Sequence, residues 1–149
     1  MVRAGVLVLV VLLAGCDLGV GYLVERADRK ERYRQWEGTF PRLQSTYSAR
    51  IAADPDLSYV FGDASNFEPG HGREGPKAAT GELLVKPAWF RMPREQRTTC
   101  VRKAAEHLVS AMADVGANFF MNLTILDDKR APLAGIGADR QGINRMIGP

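Results

Sequence analysis

Residues 4–13 form an apolar run without a single charge, and only Arg3 precedes it. A small domain buries apolar side chains on one stripe of a helix or one face of a strand. A continuous run shows neither period, and it reads as a segment that enters lipid or is removed. Two stop signals come next. Ala14 and Gly15 are small, and Cys16 directly succeeds them.

Leu13-Ala14-Gly15-Cys16 resembles the lipobox of bacterial lipoproteins, with Arg3 as the positive n-region and residues 4–13 as the h-region. The resemblance covers the leader only. It implies cleavage before Cys16, lipid on that sulfur (diacylglycerol, with palmitate as a label), and a body tethered to the membrane outside the cytoplasm. Each buried methylene adds about 0.8 kcal/mol, so more than one acyl chain makes a stable anchor. Asp17 after the cysteine resembles the inner-membrane retention signal of enteric lipoproteins, which implies a periplasm-facing protein of the inner membrane.

A rival reading is an uncleaved span over residues 4–24, since about 20 residues cross a bilayer. Asp17 opposes it at roughly 2.5–3.5 kcal/mol. Arg26, Arg29, Lys30, Arg32 and Arg34 support it, because positive residues stay inside and would leave the body cytoplasmic.

The chain has 149 residues, and removing 1–15 leaves 149 − 15 = 134, enough for one small domain and a stalk. The formal charge is +3. Without basic residues gathered on one face it carries no nucleic-acid signature. With Cys16 lipidated, Cys100 has no disulfide partner, and its place beside an apolar helical stripe marks it as packing.

The expected organisation is an α+β protein: signal 1–15, membrane-proximal anchor 16–24, helical stalk 25–53, a short strand and Gly/Pro-rich loop over 54–81, a β-α-β-β unit over 82–137 and a flexible tail over 138–149. In the stalk, Tyr33, Trp36, Phe40, Leu43, Tyr47 and Ile51 recur at helical spacing, despite an interruption at Gly38-Thr39. This stripe either packs on the protein's own domain or, through Tyr33, Trp36, Phe40, Leu43 and Tyr47, binds a partner. Leu57, Tyr59 and Phe61 alternate as in a strand. Residues 62–81 carry five glycines and two prolines, Pro69 and Pro76, and read as loop.

Past Glu82 the signals agree. A strand ends at Pro87, and a long amphipathic helix presents Val101, Ala104, Ala105, Leu108, Met112 and Val115 on one face and stops at Gly116. Residues 118–126 alternate as a strand, and 131–136 return as its hairpin partner. The expected core is a three-stranded sheet under one helix. Such a unit buries little alone, so either the stalk stripe or a partner subunit is expected to cover it.

The densest polar cluster is Asp63, Glu68, His71 and Glu74. It holds metal-ligand chemistry, but a Gly/Pro-rich loop gives ligands no rigid support. Cys100 and His107 lie two helical turns, roughly 10 Å, apart, too far for a dyad. Gly70-x-Gly72-x-x-Gly75 matches a dinucleotide string without the helix that should come after it. No catalytic set, metal or cofactor is expected. The leading expectation is a non-catalytic envelope protein acting through protein contacts. The alternatives are the single-pass protein with a cytoplasmic body, and a small envelope enzyme or ligand-binding protein that uses the 62–81 loop.

Overall fold

The computed structural model describes Asp28, Glu31 and residues 34–70 and 78–149. The chain divides into Met1–Gln35 and Trp36–Pro149. In the first unit the described residues, Asp28, Glu31, Arg34 and Gln35, are helical and exposed.

The second unit is α+β, as expected. Its elements are helix α1 (Thr39–Ala53), a one-turn helix α2 (Pro55–Ser58), strands β1 (Phe61–Pro69) and β2 (Ala78–Val85), a 3-10 turn (Pro87–Arg91), helix α3 (Arg94–Asp114) and strands β3 (Phe120–Leu126), β4 (Pro132–Asp139) and β5 (Gly142–Ile147). The sheet has five strands, not three, in the order β1-β2-β3-β4-β5. Only β2 and β3 run parallel, because α3 carries the chain back between them; the other pairs are antiparallel.

The additional strands come from segments expected to be irregular. Residues 61–69 and 78–81 are strand, not loop. Gly81 does not break β2, because it leaves the room that its neighbours fill. A Cβ there would lie 2.5 Å from Met121 Cε and 2.6 Å from the Phe67 ring. Pro69 ends an edge strand, where a missing N–H is tolerated. Similarly, 138–149 is not a loose tail. Asp139 accepts from the Gln141 and Gly142 N–H groups at 2.7 and 3.1 Å, a side-chain-closed turn that folds β5 back on β4.

The expected strand at 57–61 begins only at Phe61. Before it, the Asp54 carboxylate accepts from the N–H groups of Asp56 (3.0 Å) and Leu57 (3.4 Å), and Pro55 occupies the first turn, so one turn of helix forms instead.

Both long helices cover one face of the sheet, α1 over β1 and α3 over β4 and β5. Register builds that face: Ala79, Met121 and Ala138 align, as do Leu83, Ile125 and Ala134, and all are buried. Helix α3 buries Val101, Ala104, Ala105, Leu108 and Met112, the stripe read from sequence. It ends in a left-handed Gly116 (φ 68°), with Ala117 N–H donating to Met112 O at 2.9 Å and Gly116 N–H to Ala113 O at 3.2 Å.

Phe40, Leu43, Tyr47 and Ile51 are buried in this core, so the second half of the expected stalk is part of the domain. The Trp36 ring is half-buried, 5.1 Å from that of Phe119. A partner cannot reach Phe40, Leu43 or Tyr47 without unfolding α1, and Tyr33 lies outside the described residues. From Trp36 to Ile51 the stripe packs on the domain's own core.

Candidate functional site

Two surfaces concentrate chemistry. The first is a cleft of about 460 Å³ where α2 meets α3. Asp54 and Pro55 start the short turn that aims Asp56 and Tyr59 across the gap. Gln96, Thr99, Cys100 and Lys103 answer from α3 at helical spacing, hence on one side of that helix. Val60, Met92 and the buried Cys100 give the cleft apolar surface, while Tyr59 stands 65% exposed beside it.

A charge network edges this cleft. Lys103 Nζ donates to Asp56 Oδ2 at 2.7 Å and lies 3.6 Å from Asp54 Oδ2, which contacts His107 Nε2 at 3.1 Å. The hydrogen bond to His107, helped by the Leu57 and Asp56 N–H groups, holds the Asp54 carboxyl below the ordinary range. Asp56 raises the Lys103 ammonium. Burial, with Asp56 adding to it, raises the Cys100 thiol, the opposite of what an attacking thiolate needs. The His107 ring is engaged by Asp54.

The second surface is the sheet face away from the helices. Glu68, Thr80, Asn122, Gly137 and Arg145 align across all five strands, so one row runs from an acid to a base. The next row aligns Ser65, Glu82, Thr124, Gly135 and Ile147. Glu82 accepts from Asn66 Nδ2 at 2.6 Å and pairs with the Arg130 guanidinium. Phe120 lies over Gly137, where a Cβ would come within 2.8 Å of its ring, and Ile147 reaches over Gly135. Hollows of about 260 and 200 Å³ open on this face and share Thr124.

The sheet's two edges are poor docking strips. Edge β1 has two register irregularities plus Asp63, Glu68 and Pro69, and edge β5 has one irregularity plus Arg145. Bulges, charges and proline are the devices that blunt strand edges.

Of the sequence-flagged residues, Asp63 and Glu68 are exposed on β1. His71, Glu74, the glycine string over 70–75 beyond Gly70, Cys16 and the lipobox lie outside the described residues. Among the described residues no three His, Cys, Asp or Glu side chains gather to hold a metal. Nor is any described helix long and apolar enough to cross a membrane. The Asp54–His107–Lys103–Asp56 network was missed by sequence reading. Its one signal was Lys103 and His107 at i,i+4 on a helix, and nothing local pointed to Asp54. Comparison with family models, curated proteins and solved structures finds no match.

Proposed function

We propose that this chain is a lipoprotein of a bacterial envelope, held to the inner membrane by diacylglycerol on Cys16 and facing the periplasm. It acts without catalysis, through protein contacts, and residues 25–35 link anchor to body as the remaining part of a stalk. The leader supports the tether. The open sheet face supports the contact, and it is the observation that carries this reading. Helices cover one side of the sheet, and the other offers Glu68, Thr80, Asn122 and Arg145 to solvent beside the half-exposed Ile147. Polar side chains ringing a few apolar ones are the make-up of a non-obligate interface.

A photo-crosslinking residue placed at Asn122 tests it in intact cells. A discrete adduct is expected there, none at the exposed helix position Arg102, and a weaker one once Cys16→Ser removes the tether. Equal labelling at both positions contradicts the reading.

The five cations Arg26, Arg29, Lys30, Arg32 and Arg34 favour a second reading, an uncleaved span with a cytoplasmic body. Protease added to spheroplasts separates the two: a periplasmic body is digested and a cytoplasmic one is protected.

A further inference from the structure

The cleft between α2 and α3 is distinct from the open sheet face, and the protein contact proposed for that face makes no use of it. Its volume of about 460 Å³ lies in the ~300–1,000 Å³ range of small-molecule sites. Apolar groups (Val60, Met92, the Cys100 thiol) form its interior, and an exposed aromatic ring, Tyr59, stands beside it. Its charged groups are a single ion pair, Lys103 with Asp56. Behind Lys103 stand Asp54 and His107, and the Lys86 ammonium is tied to the Ser58 carbonyl oxygen at 2.7 Å.

The two charges that line the cleft, Asp56 and Lys103, are opposite in sign, so the lining favours neither. An anion drawn to Lys103 meets Asp56 beside it, and a cation drawn to Asp56 meets Lys103. A head group bearing both charges escapes this conflict, because its ends can lie antiparallel to the ion pair. The face of Tyr59 adds attraction for a cationic end, as aromatic rings do for quaternary ammonium.

We propose that this cleft binds a small zwitterionic amphiphile. Its apolar body rests on Val60, Met92 and Cys100, its anionic end lies at Lys103, and its cationic end lies between Asp56 and Tyr59. The site is independent of how the chain is anchored, so its failure would leave the tether reading untouched, and the reverse holds as well.

The test uses the full chain carrying Cys16→Ser, in phosphatidylglycerol nanodiscs, so that Cys100 is the one thiol. A maleimide reports Cys100 reactivity while a non-detergent benzyl sulfobetaine is titrated. Benzyltrimethylammonium and benzylsulfonate serve as single-charge controls. With the sulfobetaine at ten times its Kd, labelling slows about ten-fold, since only ligand-free protein reacts. The controls slow it far less, and Tyr59→Ala or Lys103→Met abolishes the protection. Equal protection by all three compounds overturns the assignment of the head group. No protection by any of them overturns the site. Protection that survives both substitutions puts the compound elsewhere and overturns it too.

Discussion

The Tyr47 hydroxyl donates to the Ala104 carbonyl oxygen at 3.2 Å, across an interface from which water is excluded. This contact ties α1 to α3 over 57 residues of sequence and fixes which face of α1 looks inward. Burial also drives the phenol pKa far up, so the hydroxyl remains a donor at any physiological pH.

Removing that hydroxyl separates the hydrogen bond from the packing. Tyr47→Phe is expected to cost about 0.5–1.5 kcal/mol, the net worth of one such bond. Tyr47→Ala should cost roughly 3–5 kcal/mol, because it also opens a cavity. Urea unfolding followed by far-UV circular dichroism measures both. Equal, small losses would mean that α1 does not pack as described.

Acid should loosen the α2–α3 junction. Asp54 is held below its ordinary pKa in the fold, by His107 first, while an unfolded aspartate titrates near ~3.9. Its contribution is complete above the unfolded value and disappears as pH falls through the lower folded value. Asp139 shifts in the same direction, with Asn144 as the leading cause. Unfolding midpoints across the acid range should therefore fall less steeply for Asp54→Asn than for the native chain. The variant keeps a good helix cap, since Asn caps as well as Asp, but should start up to about 1 kcal/mol lower for want of the carboxylate charge beside Lys103. Identical acid slopes would contradict the Asp54–His107 contact.

Much of this was legible from the sequence and some was not, for physical reasons. Helix α3 and strand β3 announce themselves because their apolar residues repeat at 3.6 and 2 on one buried face. Edge strands bury less and carry guards, so β1 and β5 read as loop and tail. Gly81 looks like a breaker until Phe67 and Met121 are seen to occupy its space. The charge network joins residues 47 and 53 positions apart, and the open-face rows draw on five separate strands. No local pattern encodes either of them.

Gly81 offers a direct check on the sheet. Gly81→Val forces side-chain carbons into the space of Met121 and Phe67 and should destabilise by roughly 1–3 kcal/mol, as overpacking does. If residues 78–81 were a loop, the same substitution would be nearly neutral in thermal melts.

Strand β5 can be tested by ending the chain after Arg140. Without it β4 becomes an edge, and Met146, which packs on the core, is lost. The shortened chain should lose its sharp unfolding transition and bind a hydrophobic dye. An unchanged melting curve would restore the view of residues 138–149 as a loose tail.

The tether is settled most directly at the amino terminus of the protein recovered from its own membrane. Intact mass and N-terminal peptide spectra should show a chain beginning at Cys16 and carrying diacylglycerol on the sulfur. Spectra that begin at Met1 or Val2, with an unmodified thiol at Cys16, would contradict the account and leave the membrane-spanning alternative in its place.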